Sequence, residues 1–448
     1  MLINIIFSHS SQYHSYFNSQ YASRFGGSRR RIVLCAMFFL RRPLLPVALA
    51  LGLAACQSPS SQTQTATTPA APAKPATAAT EATATASSSG ASYATYRGAI
   101  AGQSDSLTLH LVTTPQAHYD NTGPTSQGSY YGPDGHPYDI GSRRTTPDSL
   151  VLIDYSPEHG ASPTTTPPEW RLRRQPDGSL AGTAGGQAVR LRPVPPTGSL
   201  TFAVRTFADS LAAFPGKASS PKARISLQAL VPVGGPAALA AGLLRNLRGD
   251  TTNALAPLPL PDLFKQQRDS MFSSYRDDVQ ALATNATSAD EQPSATLNYN
   301  NQQSEHVLFQ RGNLLSLAYF SYEYTGGAHG LNATSVASYD LRTGRQLRYT
   351  DIFRPEADQR LPALLEAAVR SLLSIPTGEA LDNMLLVKKL PVTHNVFLTS
   401  GGVEFVYQPY EIAAYAMGEV RVFLPLGQVR PLLRTGLPLP EAAGVAAK

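Results

Sequence analysis

Apolar and polar residues alternate with period two through short stretches between residues 93 and 195. The clearest are Ser106-Leu-Thr-Leu-His-Leu-Val112, Ser149-Leu-Val-Leu-Ile-Asp-Tyr155, Trp170-Arg-Leu-Arg173 and Ala188-Val-Arg-Leu-Arg192. Alternation of this kind puts successive side chains on opposite faces of an extended chain, so each stretch predicts a half-buried strand. Asp134-Gly135 and Asp177-Gly178 supply hairpin turns between them. The pattern predicts a small all-β domain over residues 93–195, a half-barrel or sandwich.

From residue 199 to 435 the period is mixed. Leu361, Leu364, Leu365, Ala368 and Leu372 fall on one helical face, and Leu263, Phe264, Met271, Tyr275, Val279 and Leu282 do so in a longer helix after Pro261. The rest reads as strand. Asn313 to Tyr324 is a long apolar and aromatic strand, and Ser335–Tyr339 and Gln346–Tyr349 form a hairpin around Asp340-Leu-Arg-Thr-Gly344. Gly344 supplies the positive φ of that turn, with Asp340 at its start. Two further strands, Asn395 to Leu398 and Gly402 to Tyr407, are divided by Ser400-Gly401, and Glu419 to Leu424 closes the sheet. The expected fold class is α+β: a mostly antiparallel sheet packed with helices, preceded by the small all-β domain and a disordered tether. Residues 436–448 read as a tail.

The N-terminal part follows a different logic. Arg41-Arg42 precede an apolar run from Leu44 to Ala55, of signal-peptide length and too short to span a bilayer. It ends in Leu53-Ala54-Ala55-Cys56, which resembles a lipoprotein lipobox, and the resemblance implies lipidation of Cys56. Residues 37–55 are then a signal peptide, and translation is expected to start at Met37. Residues 1–36 read as a mis-called extension, and a stable peptide from them in a mass spectrum would refute this. From Cys56 to Ser92 the chain is mostly Ala, Thr, Pro and Ser, a tether with an r.m.s. span of roughly 30–35 Å. The expected location is the outer membrane, facing the periplasm, with the lipid on Cys56 as the membrane contact.

Charge and cysteine content then narrow the function. The net charge of +6 suggests an anionic partner. Six arginines and no acid lie before residue 56, however, and taking six from 37 leaves 31 basic residues against 31 acidic. No overall pull toward nucleic acid remains. The two cysteines are Cys35 and Cys56, so the processed chain has no disulfide and no thiol for a nucleophile or a metal. A phosphate loop, a dinucleotide fingerprint and a Gly-x-Ser-x-Gly elbow are all missing, and no cofactor is expected.

Two aromatic runs are the most specific motifs: Tyr322-Glu-Tyr-Thr-Gly-Gly-Ala-His-Gly330 and Tyr407-Gln-Pro-Tyr-Glu-Ile-Ala-Ala-Tyr-Ala-Met-Gly418. With the Tyr339-Asp340 and Thr343-Gly344 turn and Asp351-Ile-Phe353 between them, their order and spacing resemble the C-terminal domain of RsiV-type anti-sigma factors, also found in the non-catalytic part of PdaC-type peptidoglycan deacetylases. The resemblance covers about Arg224 to Leu433 and is strongest from Leu314. It implies recognition at the cell wall, with lysozyme or peptidoglycan as partner. Neither a sigma-binding segment nor a deacetylase catalytic domain accompanies the motifs, so anti-sigma signalling and deacetylation are not carried over.

The candidate ligand-binding residues are Tyr322, Tyr324, His329, Tyr410, Glu411 and Tyr415. His329 invites a catalytic or metal role, but His306 and His394 are isolated in sequence and zinc needs three or four donors, so no metal site is expected. The alternative is structural: Gly326, Gly327 and Gly330 permit turn geometry closed to larger residues, with the imidazole bonded across the turn. Tyr410 and Glu411 suit a sugar face, a ring to stack and a carboxylate to accept hydroxyl hydrogens, or else they form a corner after Pro409. Nothing places Glu323 and Glu411 either side of one glycosidic bond, so no catalytic residue is assigned. Phe320, Tyr322 and Tyr324 share a strand face that is expected to be core. Three function classes remain: a non-enzymatic binding lipoprotein, which these features favour, a carbohydrate-active enzyme, and a purely structural envelope protein.

Overall fold

The computed structural model describes residues 90–102, 106–115, 123–156, 158, 166–195, 200–250, 256, 258–285 and 296–440. Cys56, the signal segment, residues 1–36, all but the end of the tether and residues 441–448 lie outside the described residues.

The alternating stretches form a closed eight-stranded barrel in which each strand pairs with its sequence neighbours and the last returns to the first. The strands are β1 Ser92–Ile100, β2 Ser106–Thr114, β3 Thr125–Tyr131, β4 Pro137–Thr145, β5 Ser149–Asp154, β6 Glu169–Arg174, β7 Leu180–Ala184 and β8 Gln187–Pro193. Gly98 opposite Leu191 closes the ring. Inward-pointing Leu109, Leu111, Ile140, Leu150, Leu152, Trp170 and Leu191 fill its interior. The barrel is therefore a packed core, and closure leaves no open sheet edge. The expected half-barrel or sandwich is corrected by this β1–β8 pairing, which joins segments almost a hundred residues apart.

The second body is a three-layer α+β structure. Its central sheet has the order β14-β13-β12-β11-β10-β9, from β9 Thr201–Ala212, β10 Lys222–Val233, β11 Asn300–Arg311, β12 Leu314–Tyr324, β13 Leu331–Asp340 and β14 Arg345–Leu347. One pair, β10 with β11, is parallel; helices α1 Ala237–Leu247 and α2 Leu260–Asn285 lie in its crossover. Leu239, Leu243, Leu263, Phe264 and Tyr275 from these helices bury one sheet face with Leu315, Leu317 and Tyr319. The sequence reading had no counterpart for α1, whose alanines blur the period. Its Gly242 stands where a Cβ would sit 3.0 Å from the Tyr339 ring.

The C-terminal strands do not close this sheet, as the sequence suggested. β15 Val396–Leu398, β16 Gly402–Tyr407 and β17 Val420–Pro425 form a separate three-stranded sheet. Phe397 and Val406 pack on Leu308 and Ala318 of the opposite central face, and the Ser316 hydroxyl donates to the Leu398 carbonyl at 2.7 Å. The short helix α3 Tyr349–Ile352, then α4 Ala357–Leu372 and α5 Leu426–Val429, complete the layer. Leu361, Leu365 and Val369 of α4 are buried with Phe405 and Val422. Leu437 and Leu439 pack on this core, so the folded body extends past residue 435.

Barrel and body meet at a β-bulge. The register of β11 on β12 shifts between Val307 and Phe309, and the Ser129 hydroxyl of β3 lies 2.7 Å from the Val307 carbonyl and 2.9 Å from that of Leu308. The Tyr131 hydroxyl donates to the Gln310 carbonyl at 2.7 Å. The barrel thus satisfies carbonyls that the irregular ladder leaves open. Every residue of the buried clusters lies between residues 96 and 433, so a chain starting at Gln57 carries the complete described fold.

Candidate functional site

The two aromatic runs converge at one end of the central sheet. Gly326 and Gly327 take φ of +95° and +93° after β12, turning the chain back into β13. The Tyr324 hydroxyl donates to the Gly327 carbonyl at 3.1 Å. Tyr322 is buried directly beneath the turn, and a Cβ on Gly330 would sit 2.5 Å from its ring. The close approach, rather than φ, requires glycine there.

The loop after β16 is held against this turn by a side chain acting as backbone. Gln408 accepts from the Thr334 amide at 2.9 Å and donates to the Thr334 carbonyl at 2.8 Å, extending β13 by one amide. The Glu411 carboxylate accepts from the Gln408 amide at 2.9 Å, and the Tyr410 amide donates to the Ala413 carbonyl at 3.0 Å. Glu411 therefore braces a corner, and Tyr410 is held at φ +71°. That conformation costs a non-glycine residue of order 1 kcal/mol or more.

The corner delivers two rings onto His329. The Tyr415 ring stacks on the imidazole at 4.0 Å and 16°, and its hydroxyl donates to the Gly330 carbonyl at 2.7 Å. Tyr410 lies 5.6 Å from Tyr415 at 29°. His329 Nδ1 is 2.9 Å from the Gly330 carbonyl, which can only accept, so Nδ1 carries the proton. In the neutral ring Nε2 then accepts from the Tyr410 hydroxyl at 3.4 Å. Tyr410 is 53% exposed, with Leu331 at 58% and Leu386 at 57% nearby; Leu386 is tied to the loop through its amide on the Ile412 carbonyl at 2.8 Å. Leu331, Leu386 and Tyr410 are three of the five exposed large apolar residues described.

His329, Gly330, Tyr410 and Tyr415 are thus brought together, with Tyr322 below them and Glu411 behind. Asp340 and Gly344 lie at the other end of β13, roughly 31 Å away at 3.4 Å per residue. There the Asp340 carboxylate accepts from the Arg342 backbone at 2.9 Å and from its guanidinium. Gly344 takes φ +76°, where a Cβ would meet the Leu239 amide at 2.6 Å. His394 stacks on Tyr349 at 4.0 Å, far from His329 in the layer below. Among the described residues no group of three or more His, Cys, Asp or Glu is disposed to hold a metal.

A second constellation escaped the sequence reading. Arg421 of β17 is half-buried among Asp139 of β4, which bonds its guanidinium, Glu404 of β16 at 3.2 Å and Glu419 at 3.4 Å. His306 of β11 lies 3.6 Å from Asp139. Burial pushes the Glu404 carboxyl up to about 8 and Glu419 up to about 7, against the opposing pull of Arg421. Burial likewise pushes Glu305 of β11 up to about 8. The sequence signal was present: Glu404 interrupts an otherwise apolar strand at a buried position. The cluster ties barrel, central sheet and outer sheet at one point.

Residues 246–332 match the family described as Deacetylase PdaC. Residues 350–427 match Protein of unknown function (DUF3298). A DUF3298 family member from Bacteroides fragilis is 24% identical, with a TM-score of 0.48 over 55% of this chain and 98% of that one. One from Pseudomonas aeruginosa is 20% identical, with a TM-score of 0.38 over 52% and 95%. No curated protein matches the chain. The two family matches lie side by side in the second body, and residues 246–427 carry a PdaC/DUF3298-type domain, an envelope-type domain of unknown function.

Proposed function

We propose that this protein is a non-enzymatic envelope lipoprotein, anchored through Cys56 at the periplasmic side of the outer membrane, whose second body binds a lysozyme-like muramidase. The observation that carries the reading is the exposed stack of Tyr410 and Tyr415 on His329, rimmed by Leu331 and Leu386. Tyrosine and aliphatic anchors around a rigid centre suit a protein surface. The strained Tyr410 backbone is consistent with a ring held in place for contact.

A second reading, the glycan strand itself, is favoured by the open Tyr410 ring, which could face a pyranose. The occupied Glu411 carboxylate weighs against it, because it already accepts a backbone amide. Calorimetry of the chain from Gln57 with purified lysozyme and with soluble muropeptides tests both. Binding of lysozyme at micromolar Kd or tighter, weakened at least tenfold by Tyr410→Ala, is the expected result. Silence with both ligands, or turnover of peptidoglycan seen by mass spectrometry, removes the proposal.

A further inference from the structure

The barrel hides a charge segregation that the balanced count from Cys56 onward does not reveal. Its interior is mostly apolar, and its outward positions collect arginine. Arg97, Arg144, Arg171, Arg173, Arg190 and Arg192 are all exposed. The pairing registers place them in rows around the wall. Arg97 stands directly opposite Arg192 across β1 and β8. Arg173 and Arg190 flank Ala181 of β7, and Arg171 and Arg144 flank Val151 of β5. The residues between are short, so the guanidiniums stand proud of the surface.

Few carboxylates answer them. Glu169 pairs with Arg171 and with Arg143, and Asp177 lies 3.4 Å from Arg190 in an exposed pair. Arg97, Arg173 and Arg192 have no ion pair among the described residues. Like charges directly opposite on adjacent strands destabilise a sheet. The Arg97–Arg192 pair is therefore not explained by stability.

The face is also free. The barrel touches the body chiefly through β1 to β4, by way of β9 and β11; Arg97 of β1 and Arg144 of β4 stay exposed beside that contact, and Arg171, Arg173, Arg190 and Arg192 are exposed on β6 and β8. Among the described residues, none of the exposed large apolar or aromatic side chains lies on the barrel. That argues against a single-stranded nucleic acid, which stacks its bases on aromatic rings, and against a protein hot spot, which needs buried anchors. Arginine rather than lysine favours phosphate, which its planar fork binds through two parallel hydrogen bonds. Lipid headgroups diffuse laterally and can gather beneath guanidiniums spaced over a convex wall, whereas a stiff polymer would need matching spacing.

We propose that the outward arginine face of the barrel docks on the phosphate headgroups of an anionic bilayer. β1, which carries Arg97, begins 36 residues after Cys56, so an anchor there would keep this face within reach of a membrane. The phosphate recognition itself is independent of the lipid and of the aromatic surface. The docked orientation turns the barrel toward the bilayer and leaves the second body outward.

The test is co-sedimentation of the unlipidated chain from Gln57 with phosphatidylcholine vesicles, with and without phosphatidylglycerol. Binding should require phosphatidylglycerol and fall steeply with salt. Each arginine removed should weaken it roughly fivefold, so the Arg97→Gln/Arg173→Gln/Arg192→Gln variant should bind roughly a hundredfold more weakly. A melting temperature no lower than the parent's and an unchanged lysozyme titration in that variant exclude misfolding and separate this result from the aromatic site. Equal binding to both vesicle types, undiminished binding by the triple variant, or preference for an oligonucleotide over vesicles would each overturn the proposal.

Discussion

Raising the pH should weaken the junction between barrel and body. Glu404 and Glu419 are buried beside a single cation, Arg421, with Asp139 and Glu158 adding negative charge and His306 facing Asp139 from β11. The folded protein holds the Glu404 and Glu419 protons more tightly than the unfolded chain does, since burial lifts them from an ordinary 4.5 to about 8 and about 7. Their contribution to stability is therefore complete below about pH 4.5 and is lost as pH rises through 7 and 8. At about 1.4 kcal/mol per pH unit, the Glu404 displacement alone corresponds to roughly 5 kcal/mol. The two carboxyls share Arg421 and titrate as a pair, so we expect a loss of about 3–5 kcal/mol between pH 5 and pH 8.5. Urea denaturation followed by circular dichroism across that range measures it. Glu404→Gln, neutral at every pH, should reduce the slope, leaving the part due to Glu419 and to Glu305, whose carboxyl burial also pushes up to about 8. An unfolding free energy that is flat or rises over this range, or a Glu404→Gln variant with the parent slope, would refute the reasoning.

Three further outcomes follow from named contacts. Tyr410→Gly should raise stability by about 1 kcal/mol by relieving φ +71° while weakening lysozyme binding, so melting temperature and calorimetric Kd should move in opposite directions. Gly330→Ala should cost about 1–3 kcal/mol, because its Cβ would meet the Tyr322 ring at 2.5 Å, and pairing it with Tyr322→Ala should recover part of the loss in thermal unfolding. Leu365→Ala, in the fully buried stripe of α4, should cost about 2–5 kcal/mol in urea denaturation with an unchanged m-value.

Most strands of the barrel and the central sheet were legible because alternation is a local property: Leu109, Leu111, Leu150 and Leu152 mark the inward face without reference to any partner. Barrel closure was not legible, because Gly98 and Leu191 carry no local sign that they pair. The separate outer sheet was hidden for the same reason, since an apolar strand such as Gly402–Tyr407 looks the same edge-on to one sheet or stacked on another. The aromatic site was half legible. Glycines and tyrosines marked both runs, but the contact of His329 with Tyr410 and Tyr415, some eighty residues apart, depends on Gln408 docking to Thr334. The Arg421 cluster was missed because its members come from β4, β11, β16 and β17, whose meeting leaves no local sign in the sequence. Glu404 and His306 show that inward parity with a charge is itself the signal.

The barrel is contiguous in the chain, whereas the partner of its buried Asp139 arrives 282 residues later, at Arg421. During synthesis, residues 92–193 contain everything needed to close the ring before the second body exists. Until β11 is made the docking wall presents the Ser129 and Tyr131 hydroxyls without their bulge carbonyls, and until β17 is made it presents a carboxylate without its guanidinium. A polypeptide cut short before Arg421 should therefore retain a protease-resistant ring joined to a loose remainder. Pulse proteolysis of such fragments would display that two-step maturation, in which nearly the last strand to be made locks the first domain in place.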